Sequence, residues 1–191
     1  MLIYKKGNAL KQNFNQNTIL VHGCNNCYPT GVMGAGIAGA IRQEYPSVTE
    51  EYENWSKDNY QPSYAVWTSL PRLRLGEVQV VKVSGSFANN DAFSICNLIS
   101  QQETGNNEWG MPPVRYDSIK EGLFKLGRFI SRLTLKYPAT QVVSVPLGCG
   151  LGGGTWDVVK RLFEECLIDE YDISVTIFDF KANYWKEEEF S

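Results

Sequence analysis

Two glycine-rich segments constrain the fold of this chain most strongly, because each stands between an apolar strand-like run and a helix-like run. The first is GVMGAGIAGAI (31–41), which follows the run NTILVHG (17–23) and the irregular stretch CNNCYPTGVM. The second is PLGCGLGGGTWD (146–157), which follows TQVVSVPLG (140–148). A loop with so few side chains can turn several backbone N–H groups towards one point and lets a ligand approach the main chain closely.

The remainder of the chain continues this alternation of strands and helices. A short strand is predicted near the start, in LIYKKGNAL, and residues 47–62 are predicted to form a short helix with loops. Further strands are predicted at 76–85, 92–101 and 172–180, and helices at 36–45, 116–133 and 155–167. Strands that alternate with helices indicate a layered α/β domain.

The first segment also holds the G-x-G-x-x-G spacing, at Gly34, Gly36 and Gly39. In a dinucleotide-binding Rossmann fold these glycines follow the strand directly, and an acidic residue ends a second strand about 20 residues later. Here Gly34 comes eleven residues after Gly23, the end of the preceding run, and the region around Glu50 has no strand pattern. The sequence therefore argues against hydride transfer to a nicotinamide cofactor.

A diphosphate is the ligand that both segments favour. A helix N-terminus carries partial positive charge and N–H donors without partners, so phosphate binds there readily. In a layered sheet both loops would lie at the carboxyl ends of their strands and could hold one diphosphate between them. The alternative is that the glycines only permit tight turns and close helix packing.

The segments ILVHGCNNCYPTGVMGAGIAGAI and VVSVPLGCGLGGGTW resemble the macro domain family, the ADP-ribose-binding α/β/α module. The motifs HGCN and GCGLGGG resemble those of the branch that contains ADP-ribose 1''-phosphate phosphatases and terminal ADP-ribose protein glycohydrolases. The resemblance implies a three-layer α/β/α fold with a mixed central sheet. It also implies a single macro domain over 1–191, with its core in about 1–180 and a short C-terminal tail.

The resemblance also implies a set of ligand-binding residues. Asn25 matches the asparagine that contacts the distal ribose, and Asn8 falls where an aspartate accepts a hydrogen bond from the adenine amine. The residues implied to line the diphosphate and distal ribose are Gly34, Ala35, Gly36 and Ile37, and those implied to close the other side are Gly148, Cys149, Gly150, Leu151 and Gly152.

Catalysis is predicted to involve His22 and Asn25. His22 is the only histidine, three residues before Asn25, and an ordinary imidazole pKa of about 6.5 suits proton transfer at neutral pH. The alternative is a histidine that closes the strand and bonds to the loop backbone. Glycohydrolases of this branch have an aspartate after GCGL, where this chain has Gly152.

We therefore expect the chain to bind ADP-ribose and to hydrolyse ADP-ribose 1''-phosphate to ADP-ribose and phosphate. The alternatives are a non-catalytic ADP-ribose-binding module and a mono-ADP-ribosyl hydrolase. An assay of phosphate release would distinguish the phosphatase from the non-catalytic binding module.

The composition of the chain bears on its binding partners and on its location in the cell. A formal net charge of −3 with scattered basic residues gives no electrostatic footprint for nucleic acid. No apolar run could span a bilayer, the start does not resemble a signal peptide, and five cysteines suggest reduced thiols in the cytoplasm. Cys24 and Cys27 form a C-x-x-C, but zinc would need two further ligands, so we expect neither a metal nor a cofactor.

Overall fold

A mixed sheet forms the centre of the computed structural model, which describes residues 1–27, 33–58, 73–102 and 110–179. Within these ranges the sheet has six strands in the order β1-β6-β5-β2-β4-β3. The strands are β1 (Leu2–Lys6), β2 (Thr18–Asn25), β3 (Val78–Ser84), β4 (Phe93–Gln101), β5 (Gln141–Ser144) and β6 (Val175–Asp179).

Five of these strands run in the same direction. The pairs β1–β6, β6–β5, β5–β2 and β2–β4 are all parallel, and only β3 is antiparallel to its neighbour, β4. The carboxyl ends of five adjacent strands therefore meet at one edge of the sheet.

Helices cover both faces of the sheet. They are α1 (Gly36–Glu44), α2 (Pro46–Asp58), α3 (Tyr116–Thr134) and α4 (Trp156–Phe163). Successive side chains of a strand point to opposite faces, and β2 follows this rule: Ile19 and Val21 belong to the core that includes residues of α3 and α4, whereas Leu20 and Cys24 belong to the core that includes residues of α1 and α2. The predicted three-layer α/β/α arrangement with a mixed sheet is confirmed.

The helix boundaries follow from local chemistry. Pro46 ends the first helical run as predicted, but it also starts α2, because proline lacks the N–H that the first helical position does not use. In the region 47–62, predicted as a short helix with loops, the 13-residue helix α2 runs as far as Asp58, and 59–62 lie outside the described residues. Thr155 is the N-cap residue of α4, and the chain continues into a π-helical turn at Glu164–Asp169.

In the part of the chain that the structure describes, no helix combines the length and the apolar character needed to cross a bilayer.

Candidate functional site

A cleft of about 840 Å³ lies at the sheet edge where the five parallel strands end. Each of these strands contributes residues at or just beyond its carboxyl end. They are Gly7 and Asn8 after β1, Asp179 of β6, Pro146 and Gly148 after β5, Asn25 of β2 and Gln101 of β4. Adjacent strands lie about 4.8 Å apart, so four spacings give the cleft a length of roughly 19 Å.

The first glycine loop borders the cleft through the N-terminus of α1. Gly34, Ala35, Gly36 and Ile37 all line the cleft. Ala35 is the N-cap residue, and no side chain caps the helix there. The N–H groups of a first helical turn have no partner within the helix, so the positive end of α1 lies at the cleft with donors to offer.

The second glycine loop borders the cleft after β5 and is folded back on itself. The amide of Gly154 donates to the carbonyl oxygen of Gly148 at 2.9 Å, and a Cβ atom at Gly152 would lie only 2.4 Å from that oxygen. Gly150, Leu151 and Gly152 line the cleft, and their amides donate to no backbone oxygen among the described residues. The loop therefore has amides that can donate to a ligand in the cleft.

Asn25 lies in the cleft between these two loops, held at both ends. Its side-chain Oδ1 accepts a hydrogen bond from the amide of Cys27 at 2.9 Å. Its carbonyl oxygen accepts one from the Tyr52 hydroxyl at 2.6 Å. Tyr52 reaches the cleft from α2, and burial raises the pKa of its phenol, which stays protonated as a donor. Because Oδ1 accepts the amide of Cys27, the atom that Asn25 can use to contact a ligand is Nδ2, which is a donor.

His22 does not line the cleft, although sequence reasoning expected it to face the distal ribose. Its side chain is fully buried, with Nε2 2.7 Å from Oδ1 of Asn97. Asn97 in turn donates to Gln79, which donates to the carbonyl oxygen of Glu51 in α2. Burial lowers the pKa of His22 to about 4, so the ring is neutral at neutral pH. This placement fits the alternative of a structural histidine and does not fit a catalytic one.

Two further predicted site residues have internal partners. Cys149 does not line the cleft: it is buried in the core, its Sγ donates to the carbonyl oxygen of Leu147, and burial raises its pKa to about 12. Asn8 does line the cleft, but its Oδ1 already accepts the amide of Leu10, capping a short 3-10 helix. The oxygen that the resemblance assigned to the adenine amine is therefore engaged within the chain.

Three polar residues that no sequence motif singles out also line the cleft, Tyr52, Gln101 and Asp179. Asp179 is 3% exposed and is the only charged side chain among the described residues that line the cleft. The available signal was its position at the carboxyl end of the last parallel strand. Within the described ranges, no group of three or more His, Cys, Asp or Glu residues is arranged to hold a metal ion.

Comparison with known proteins gives matches among solved structures alone: no protein-family model matches the sequence, and no curated protein matches it. A protein of unknown function from Bacteroides thetaiotaomicron is 28% identical, with a TM-score of 0.74 over 94% of this chain and 98% of that one. A macrodomain protein from Streptomyces coelicolor is 26% identical, with a TM-score of 0.66 over 94% of this chain and 99% of that one.

A third similar structure is Thermosipho africanus DarTG in complex with ADP-ribose. It is 20% identical, with a TM-score of 0.65 over 93% of this chain and 41% of that one. Together with the layer order and sheet topology, these similarities establish that the chain has the macrodomain fold.

Proposed function

We propose that this chain, as a macrodomain in fold, binds ADP-ribose in the cleft at its sheet edge. The observation that carries the proposal is that two glycine loops, separated by more than 100 residues of sequence, border one cleft. A protein of similar structure, Thermosipho africanus DarTG, is in complex with ADP-ribose.

The diphosphate would lie between the two loops. On one side the N-terminus of α1 offers partial positive charge and N–H donors, and on the other the amides of Gly150, Leu151 and Gly152 are available. No residue of 34–37 or 148–152 carries a negative charge that would repel phosphate. The distal ribose would then lie beside Asn25, whose Nδ2 can donate to a hydroxyl oxygen.

The length of the cleft also suits ADP-ribose. Roughly 19 Å across five strand ends accommodates a chain of base, ribose, diphosphate and ribose. The lining is mostly apolar and backbone, with a few amide side chains, which is usual for a cleft that binds a small molecule.

Hydrolysis of ADP-ribose 1''-phosphate is the enzymatic form of this proposal, with Asn25 positioning the reacting end of the ligand. Among the described residues that line the cleft there is no histidine, lysine or arginine, and His22 is buried outside it. Hydrolysis would therefore proceed without His22 in contact with substrate. Binding is the function that the geometry supports best.

A mono-ADP-ribosyl hydrolase fits less well. The resemblance expects an aspartate after GCGL, and Gly152 occupies that position, where even a Cβ atom would collide with the carbonyl oxygen of Gly148. A carboxylate could be introduced there only if the loop backbone moved.

Calorimetric titration of ADP-ribose tests the binding proposal. Gly34→Val is the informative variant, because a Cβ at Gly34 meets nothing within 4 Å and its backbone is not in the left-handed region, so the side chain should fill the cleft without straining the fold. Ala88→Val is the control: Ala88 is exposed in a turn between β3 and β4, at the opposite edge of the sheet.

We expect the wild type and Ala88→Val to bind ADP-ribose equally, and Gly34→Val to bind at least about tenfold more weakly, a loss of about 1.4 kcal/mol. The wild type failing to bind, or Gly34→Val binding as tightly as the control, contradicts the proposal.

Phosphate release from ADP-ribose 1''-phosphate separates turnover from binding. Release by the wild type that is lost in Asn25→Ala establishes the phosphatase form of the proposal. Tight binding of ADP-ribose without release identifies a binding module.

A further inference from the structure

We propose that Gln79 is a positioning residue of the ligand site, although it does not line the cleft. Gln79 belongs to β3, which lies two strands from β2 in the sheet. It acts through the backbone of α2 on Tyr52 and, through Tyr52, on Asn25. This inference rests on the proposed function and deepens it, because it names a residue outside the cleft on which the affinity for ADP-ribose depends.

Three polar side chains form a polar ladder across neighbouring strands of the sheet. His22 of β2 and Gln79 of β3 are both paired in register with Asn97 of β4, which lies between them. His22 Nε2 is 2.7 Å from Asn97 Oδ1, and Asn97 Nδ2 donates to Gln79 Oε1 at 2.9 Å. Because each amide oxygen accepts and each amide nitrogen donates, the polar ladder has one direction, from His22 towards Gln79.

The polar ladder ends on α2, at the peptide group that carries Tyr52. Gln79 Nε2 donates to the carbonyl oxygen of Glu51 at 3.0 Å, and the carbon of this carbonyl is bonded to the backbone nitrogen of Tyr52. The peptide unit is planar, so holding its oxygen also limits the position of the Tyr52 Cα atom. The next carbonyl, that of Tyr52 itself, accepts a bond from the Ser56 hydroxyl at 2.9 Å. Both peptide groups that flank Tyr52 are therefore held by side chains.

Tyr52 connects this anchored part of α2 to the cleft. Among the described residues it is the only one of α2 that lines the cleft, and its hydroxyl donates to the carbonyl oxygen of Asn25 at 2.6 Å. The pairing of β2 with β4 shifts register between Cys24 and Asn25. Such an irregularity locally disrupts the backbone hydrogen bonds between two strands. The bond from Tyr52 therefore helps to fix the direction in which Asn25 points.

A role in stability alone does not explain why the polar ladder is polar. His22 and Asn97 are both fully buried, and a buried polar side chain costs stability unless it is hydrogen-bonded. Apolar side chains could occupy these positions, because the same layer of the protein contains the apolar core beside α1 and α2. A fully hydrogen-bonded network adds rigidity and a single arrangement of its members. That property suits the placement of α2 relative to the cleft.

A double-mutant cycle, measured by calorimetric titration of ADP-ribose, tests this path. Its proteins are the wild type, Gln79→Leu, Tyr52→Phe and the variant with both substitutions. Gln141→Leu is the matched control, because Gln141 also lies on a strand and its Nε2 donates to the Thr18 hydroxyl at 2.9 Å. Gln141 stands at the amino end of β5, whereas the cleft lies at the carboxyl ends of the strands.

A second variant, Gln79→Glu, separates the two ends of the Gln79 side chain. A carboxylate still accepts from Asn97 Nδ2, but it cannot donate to the carbonyl oxygen of Glu51. This variant therefore breaks the contact with α2 and leaves Asn97 with its partner. It replaces Gln79→Leu in the cycle if Gln79→Leu does not fold.

We expect Gln79→Leu, Gln79→Glu and Tyr52→Phe each to weaken ADP-ribose binding by at least about threefold, and Gln141→Leu to bind as the wild type does. In the Tyr52→Phe background, Gln79→Leu should change the affinity by less than about 1.5-fold, since the path to Asn25 is already broken.

Wild-type affinity in either Gln79 variant overturns the inference, and so does wild-type affinity in Tyr52→Phe. An undiminished effect of Gln79→Leu in the Tyr52→Phe background also overturns it, because Gln79 would then act by another route. An equal loss in Gln141→Leu would overturn it in favour of a general response to lost stability. Failure of the wild type to bind ADP-ribose refutes the proposed function instead.

Discussion

Replacing His22 by glutamine tests whether this residue is structural, through the pH dependence of folding stability. In the folded protein the His22 ring is fully buried beside Asn97, and its pKa is lowered from the ordinary 6.5 to about 4, chiefly because burial disfavours the charged ring. In the unfolded chain the ring is hydrated and titrates near its ordinary value. Between these two pH values the unfolded state binds a proton that the folded state does not.

The sign and size of the effect follow from this difference. A group that stays neutral in the fold stabilises the folded state fully above pH 6.5, and this contribution is lost as the pH falls towards 4. At about 1.36 kcal/mol per pH unit, the whole shift amounts to about 3 kcal/mol. By pH 5 the loss should be about 2 kcal/mol. His22 is the only histidine, so no other imidazole contributes.

Urea unfolding at several pH values between 7.5 and 5 measures this loss. His22→Gln removes the titration but keeps an amide N–H that can donate to Asn97. We expect the wild type to lose about 2 kcal/mol more than His22→Gln over this range, whereas carboxylates affect both proteins equally. Parallel stability curves for the two proteins would refute the buried-histidine account.

Two other substitutions probe the framework of the cleft. Gly152→Ala should lower the unfolding temperature by several degrees, because its Cβ atom would lie 2.4 Å from the carbonyl oxygen of Gly148. For a chain of this size each kcal/mol of lost stability lowers that temperature by about 2–4 °C. Gly150→Ala should be neutral, because a Cβ atom there meets nothing within 4 Å. Equal effects in thermal unfolding would contradict this. Tyr52→Phe removes the 2.6 Å bond to the Asn25 carbonyl and should cost about 1 kcal/mol in urea unfolding and weaken ADP-ribose binding; unchanged affinity would show that Tyr52 does not position Asn25.

The fold was largely predictable because the strand and helix patterns are local. The apolar spacing of 116–133 predicts α3, which runs from Tyr116 to Thr134. The strand predicted at 140–148 ends earlier, at Ser144, because Val145 to Gly148 already form the wall of the cleft. Apolar residues in a loop that packs against the core look like strand residues in the sequence.

The site was predictable where it depends on backbone and less so where it depends on side-chain direction. A glycine-rich loop can be recognised from its composition, so the sequence predicts both loops that border the cleft. His22 is buried and hydrogen-bonded to Asn97, a partner 75 residues away that local patterns do not identify. Asp179 belongs to no motif, and only the parallel pairing of β6 with β1 and β5 brings it to the cleft.

A crystal structure of the chain with ADP-ribose tests the central claim most directly. We predict diphosphate oxygens within about 3.2 Å of backbone nitrogens in both segments 34–37 and 148–152, the range of N–H···O hydrogen bonds. ADP-ribose bound at another surface, or a diphosphate that contacts only one of the two glycine loops, would contradict the account.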